Sequence, residues 1–188
     1  MNNFTGKLEL IIGNMFSGKT SEFIRRINKL KSINTKILVI NYISDNRYST
    51  NSVVSHDNLK INCLKLEKLS NITDNIIQQY DSFFIDEGQF FGDLYTCVVN
   101  LVENHHKHVV VSGLDGDNFR NPFGDMIKLI PLCDTVDKLT AYCSKCNNGT
   151  QAPFTKKKII LSEKPNKNVI DIGGTDKYIA VCRFHYHN

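Results

Sequence analysis

The stretch LELIIGNMFSGKTSEFIRR, Leu8 to Arg26, decides the fold. Its apolar start reads as a buried strand. Its end, continuing through KTSEFIRRINKLKS, places Phe23, Ile27 and Leu30 on one stripe of an amphipathic helix. Between them, Gly13 to Thr20 fits G-x-x-x-x-G-K-[ST] in full, in the strand-to-helix context that gives the pattern its meaning. Backbone N–H groups in such a turn, and the helix N-terminus behind it, attract phosphate oxygens. Gly13, Asn14, Met15, Phe16, Ser17, Gly18, Lys19 and Thr20 are therefore read as the cradle of a nucleoside triphosphate. Lys19 reaches the β and γ phosphates, and the Thr20 hydroxyl holds Mg²⁺. A cradle alone leaves the destination of the terminal phosphate open: water, a protein, or a small acceptor held elsewhere in the chain.

Apolar runs alternate with helical patterns on the C-terminal side of that stretch. TKILVINY reads as a second buried strand, and VVSHDNLKINCLKL as loop with a short strand. LSNITDNIIQQY and LYTCVVNLVENH read as helices, DSFFIDEGQFF as a strand running into a loop, KHVVVSGLDG as a strand, and DTVDKLTAY as the last strand. Buried strands separated by helices predict a parallel sheet with right-handed crossovers, an α/β core over residues 1–140. After Tyr142 the runs shorten and turn residues multiply, which predicts a small stapled subdomain over 141–188.

The totals agree with an ordinary globular chain. At 188 residues it can bury about 70 % of its unfolded surface and needs no disulfides to hold a core. Net charge is only +4, and the single basic run, Lys156 to Lys158, reads as a solvated face; neither favours a nucleic-acid partner. No run reaches the roughly 18 apolar residues of a membrane helix, and MNNFTGKLELIIG has no basic region, long apolar core or cleavage site. The expectation is a cytoplasmic protein with reduced thiols.

Two further groups carry chemistry. FFIDEGQFF sets Asp86 at the end of a buried strand, where a cradle of this type needs a second acid for the Mg²⁺ shell, and places Glu87 beside it. Glu87 would orient water in an ATPase, or accept a proton from an acceptor hydroxyl in a kinase. YCSKCN and VCRFHYHN give C-x₂-C and C-x₂-H pairs. Cys143, Cys146, Cys182 and His185 then form a Cys₃His set that fills all four positions of a structural Zn²⁺ site. His187 competes with His185 for the fourth position; spacing favours His185. Cys63, Cys97 and Cys133 have no partner at metal spacing and read as packed thiols. His105, His106 and His108 read as a surface cluster at a helix end, where imidazolium suits the dipole.

The cradle, DEGQFF, LDGDNFRNPFG and a terminal staple spanning IDIGGTDKYIAVCR stand in one order, and together they resemble the type II thymidine kinases, the cellular and poxvirus-type family. The resemblance runs from about Leu8 to His185. It implies a P-loop fold and transfer of the ATP γ-phosphate to the 5′-hydroxyl of thymidine, with Mg²⁺ held by Thr20 and Asp86 and Glu87 as proton acceptor. It also implies a phosphate-side stretch Asp45, Asn46 and Arg47, with Asp86, Gly88 and Gln89 completing the nucleotide site. The thymidine pocket it implies takes Met15, Phe90, Leu114, Phe119, Phe123 and Thr155, a zinc-fastened loop Val169, Ile170, Asp171, Ile172 and Gly173, and Tyr178 over the sugar. A homotetramer and feedback by dTTP come with the resemblance as well.

This chain departs from the family pattern in three places. His185 stands where many members have a fourth cysteine, and Asn14 where proline is common. In LDGDNFR the position that usually carries the pocket aromatic is Asn118, and Phe119 follows it; the expectation is that Phe119 meets the base. Two other readings stay open on the residues alone. A partner-coupled ATPase would hydrolyse ATP without nucleoside, and a zinc-ribbon nucleic-acid module would need a basic, aromatic-interleaved face.

Overall fold

The computed structural model describes residues 5–43, 52–54, 60–158 and 173–188. The chain opens with β1 (Lys7–Gly13), α1 (Lys19–Lys31) and β2 (Ile37–Tyr42), then a hairpin of β3 (Ser52–Val54) and β4 (Lys60–Asn62) and the short β5 (Leu64–Leu66). α2 (Asp74–Gln79), β6 (Ser82–Ile85), α3 (Leu94–Val99) with a π-helical continuation Asn100–Asn104, β7 (His108–Gly113) and β8 (Thr135–Leu139) follow. Six of these strands form one sheet in the order β5-β2-β6-β7-β1-β8, parallel throughout. The mixed α/β architecture expected from the alternating pattern is thus present.

Alternation along the strands sorts the core into two faces. Leu8, Leu10 and Ile12 of β1 join Phe83, Ile85, Val109 and Val111 under α3, with Phe91, Leu94, Val98 and Met126 filling that face. Ile11, Val39, Phe84 and Val110 point the other way, against Phe23, Ile24 and Ile27 of α1; Leu30 of the expected stripe packs at the margin.

The rest of the chain is built of smaller pieces: β9 (Ala141–Tyr142) paired with β10 (Gln151–Ala152), β11 (Phe154–Lys157) paired with β12 (Tyr178–Val181), and a closing turn of helix α4 (Arg183–His187). Their core holds Ala141, Ala152, Ala180, Val181, Cys143 and Cys182, small side chains that bury little apolar area. No helix among the described residues is long and apolar enough to cross a membrane.

Three expectations change. LSNITDNIIQQY is not one helix: a 3₁₀ turn at Leu69–Asn71 is held by the Asp93 carboxylate, which accepts from the N–H of Leu69 and Ser70, and the chain is extended at Ile72 and Thr73 before α2 begins. VVSHDNLKINCLKL contributes the β3–β4 hairpin and an edge strand of the main sheet, β5. Of the three histidines, His105 caps the π-helical turn and His106 follows it, exposed, at φ 52°, as expected of a helix end. His108 does not join them: it starts β7, its ring between the Ser82 hydroxyl at 3.4 Å and Glu9 Oε1 at 3.3 Å.

Candidate active site and metal centre

All six strands of a parallel sheet end on the same edge, and ligands of open α/β sheets sit in the crevice outside those ends. The cradle emerges there from β1. Gly13 has φ 146°, and a Cβ on it would lie 2.2 Å from the carbonyl oxygen of Leu139 at the end of β8, so no larger residue fits. Phe16 and Gly18 take left-handed φ values of 66° and 85° and turn the chain into α1. The Asn14 carbonyl gathers the loop, accepting from Ser17 Oγ at 2.8 Å and Lys19 Nζ at 2.7 Å. The Met15 N–H donates to the Thr155 hydroxyl at 3.0 Å. That bond joins the cradle to β11, 140 residues away in sequence.

The acidic segment lies two strands away, about 10 Å at ordinary strand spacing. Asp86 is buried at the end of β6, its N–H bonded to the Ile40 carbonyl at 2.9 Å. Glu87 adopts the left-handed conformation, φ 55° and ψ 40°, which is uncommon for a residue other than glycine. It persists because its neighbours are fixed: Gly88 is buried against Met126 and Val111, and Phe91 packs edge-to-face on Tyr42. Gln89, itself buried, donates from Nε2 to Glu87 Oε2 at 2.5 Å and accepts the Leu114 N–H on Oε1 at 2.9 Å. One amide thus ties the acidic segment to the loop that follows β7.

That loop carries Phe119 and Phe123, and Phe90 reaches toward it from the end of β6. Phe90 and Phe123 meet edge-to-face at 5.5 Å, with Tyr42 5.4 Å beyond Phe90. Phe119 is 59 % exposed, while the adjacent Asn118 carbonyl accepts a hydrogen bond from the Tyr186 hydroxyl at 2.8 Å. Tyr178 is buried in β12 and Gly173 lies just before it. Asp45, Asn46, Arg47, Val169, Ile170, Asp171 and Ile172 lie outside the described residues.

A cleft of about 200 Å³ opens beside the cradle, lined by Asn14, Asp115, Asp117, Arg120, Lys138 and Thr155 among others. Of these, only Asn14 and Thr155 were singled out in the sequence. Asp117 Oδ1 accepts the N–H of Phe119 and of Asn121, each at 2.8 Å, so this buried carboxylate shapes the loop. The D-N-x-x-N-P spacing of DNFRNP, Asp117 to Pro122, carries a legible Asx-turn signal for that role.

The metal-ligand set converges in space. The His185 Nδ1 atom lies 3.5 Å from Cys143 Sγ, 3.4 Å from Cys146 Sγ and 3.4 Å from Cys182 Sγ; the Cys146 and Cys182 sulfurs are 3.8 Å apart. A tetrahedron with Zn–S of about 2.3 Å and Zn–N of about 2.0–2.1 Å has S–S edges of about 3.8 Å and S–N edges of about 3.5 Å. The donor set therefore fits Zn²⁺. His187 points away, its Nε2 3.5 Å from Arg120 Nη1, so the fourth ligand position falls to His185. Burial pushes the Cys143 thiol up, but the N–H groups of Cys182, Cys146 and Lys145 outweigh it and hold the thiol at about 6. Burial and the Cys143 sulfur push Cys146 the other way, as two thiols sharing one site divide an easily lost proton. Cys97, by contrast, is pushed up to about 11 by burial and is a packed thiol.

Comparison with known proteins now bears on these groups. A family model described as thymidine kinase matches residues 6–186. The chain is 40 % identical over 189 residues to a thymidine kinase of Oryza sativa subsp. japonica, covering 98 % of this chain and 67 % of that protein. It is 41 % identical over 183 residues to the thymidine kinase of Fowlpox virus (strain NVSL), covering 95 % of this chain and 96 % of that one. Against the thymidine kinase of Vaccinia virus (strain Ankara) the figures are 40 % over 181 residues, 96 % and 97 %.

Proposed function

The chain belongs to the thymidine kinase family, and from that premise we propose which of its residues carry the reaction. The enzyme is an ATP-dependent phosphotransferase that phosphorylates thymidine to thymidine monophosphate. Gly13 to Thr20 hold the phosphates, and Asp86 with the Thr20 hydroxyl holds Mg²⁺, which neutralises charge on the phosphates when bound. Glu87 takes the proton from the 5′-hydroxyl. The 5′ oxygen forms its bond to the γ phosphorus as the bond from that phosphorus to the β–γ bridging oxygen breaks, and ADP leaves. Transition states of this kind are loose, so alignment of the hydroxyl matters as much as basicity.

The observation that carries this assignment is the Gln89 bridge. The amide that fixes the Glu87 carboxylate also fixes Leu114, at the head of the loop bearing Phe123. Leu114, Phe90 and Phe123 form the apolar wall for the base, Met15 and Thr155 bring the cradle to its edge, and Phe119, on the same loop, closes from outside. Gly173 and Tyr178 continue the pocket together with Val169, Ile170, Asp171 and Ile172, and Asp45, Asn46 and Arg47 complete the phosphate side. Residues 1–140 are the nucleotide-binding domain and 141–188 the zinc-stapled subdomain, with Zn²⁺ on Cys143, Cys146, Cys182 and His185. A homotetramer, feedback by dTTP, which offers both a thymine and a phosphate tail, and a cytoplasmic setting complete the proposal.

The test is product formation by zinc-replete protein with ATP and Mg²⁺, alone and with each deoxynucleoside. Deoxyuridine lacks only the 5-methyl group, worth about 1–3 kcal/mol or roughly 10–200-fold, and is expected to react poorly. Deoxycytidine presents a different donor and acceptor edge, leaves buried partners unpaired, and is expected to fail. Equal turnover of thymidine and deoxycytidine would sink this pocket, and nucleoside-independent phosphate release would return the chain to the ATPase reading.

A further inference from the structure

The loop Asp115–Gly124 is held at both ends by the site just described, through Leu114 and Phe123. Its middle is held by something else. Tyr186 of α4 donates its hydroxyl to the Asn118 carbonyl at 2.8 Å. Its ring lies under the Arg120 guanidinium, 4.2 Å from the Cζ atom to the ring centroid. Phe154 of β11 backs the pair, 5.5 Å from Tyr186 ring to ring and 5.5 Å from the same guanidinium. Arg120 itself stands at φ 68°, a conformation that a long side chain keeps only where its surroundings over-determine it.

Tyr186 is also bound to the metal centre. It follows His185 directly, and its N–H donates to the carbonyl of Cys182 at 2.9 Å, so two ligands fix its backbone. Lys156 of β11 donates to the His185 carbonyl at 3.0 Å from the other side. A continuous chain of contacts runs from the Cys₃His set through Tyr186 and Arg120 to the loop, and from the loop through Leu114 to Gln89 and Glu87.

We propose that Tyr186, with Arg120, is a positioning residue for the nucleoside: it clamps the loop Asp115–Gly124 to the zinc staple and so sets the wall of the thymidine pocket. The proposal rests on the assignment of Leu114 and Phe123 to that pocket. The staple on this view acts on the base side from α4. Tyr186 touches no reacting atom, so its loss changes how thymidine is held and leaves the phosphate side alone.

Two variants separate the contacts. Tyr186→Phe keeps the ring under Arg120 and removes one neutral hydrogen bond, and Tyr186→Ala removes both. The KM for thymidine is expected to rise about two- to tenfold in the first and further in the second, with the KM for ATP and the zinc content within about twofold of wild type. Hydrogen exchange in zinc-loaded, nucleoside-free protein provides a readout independent of activity. The amides of Phe119 and Asn121, both bonded to Asp117, are expected to exchange faster in the order wild type, Tyr186→Phe, Tyr186→Ala. Arg120→Leu should resemble Tyr186→Ala, and the double variant should add little, as coupled partners do.

An unchanged KM for thymidine in zinc-replete Tyr186→Phe overturns the proposal, as does a parallel rise in both KM values or unaltered exchange in the loop. If Tyr186→Ala loses its zinc, Tyr186→Phe decides alone. If the wild-type chain fails to phosphorylate thymidine at all, the assigned reaction falls, and the exchange order by itself decides whether the clamp exists.

Discussion

Glu87 combines an acidic side chain with a left-handed backbone, a conformation that costs of order 1–3 kcal/mol for a non-glycine residue. The strain is sustained by the buried Gly88–Phe91 segment behind it and aims the carboxylate to where Gln89 can hold it. Glu87→Gln keeps size and backbone and removes only the base. We expect unchanged ATP affinity and a fall in kcat of about 10²–10⁴; an unaltered kcat would take Glu87 out of the chemistry. Gly13 makes the opposite demand, for nothing at all beyond Cα. Gly13→Ala would drive a Cβ to 2.2 Å from the Leu139 carbonyl at a φ of 146°, against backbone that cannot yield cheaply. A loss of about 3 kcal/mol or more in urea unfolding is expected, and an unfolding midpoint equal to wild type would show that β8 moves aside.

Among the elements, strands were the most legible in the sequence, because VVV, LVI and FFI runs buried on both faces have few other uses. The ends of helices were less so. The α2 segment is cut short by a carboxylate on Asp93, a partner 23 or 24 residues away that no local pattern displays. The C-x₂-C and C-x₂-H pairs were legible because ligand spacing is a local constraint, and space then chose His185 over His187. The core of the elements that this set staples holds three alanines, Val181 and two of the cysteines, and such small groups contribute only about 0.8 kcal/mol per buried CH₂. Metal binding worth about 10–16 kcal/mol outweighs such a core. Chelation, or Cys146→Ser, is therefore expected to release β9 to β12 and α4 while the six-stranded sheet persists. Amide exchange would report it: Cys143, Ser144 and Tyr186 N–H groups, bonded to Thr150, Ala180 and Cys182 carbonyls, should lose protection, and those of β1 and β7 should keep it. Simultaneous loss in both sets would make the whole chain one cooperative unit.

At the scale of the whole molecule, the motifs that meet as the candidate site at the C-terminal edge of the sheet stand out in the sequence, and the charge cluster near its opposite end does not. Glu9 sits in β1, Arg26 in α1, His108 in β7 and Asp137 in β8; only the parallel register and the helix laid across it make them neighbours. Glu9 lies 2.5 Å from Lys7 Nζ, 2.7 Å from Arg26 Nη1 and 3.3 Å from His108 Nε2, largely out of water. The hydrogen bond from His108 and that from Lys7 lower its pKa to about 2 against the opposing effect of burial. Glu22, bonded to Arg25 and Arg26, is likewise held at about 2. A carboxylate depressed in the folded state contributes stability that is fully present above its unfolded pKa and is lost as pH falls toward the folded one. The enzyme should therefore lose stability between about pH 4.5 and pH 2 as these two glutamates take up protons. Glu9→Gln removes one of them and leaves Arg26 less well paired. It is expected to cost about 2 kcal/mol at pH 7 and to flatten the decline below pH 4.5, so that the two stability curves, measured by urea unfolding across pH, converge in acid. Parallel curves would mean that the depressed carboxylate of Glu9 does not couple this end of the sheet to α1, and that the acid sensitivity of the fold lies elsewhere.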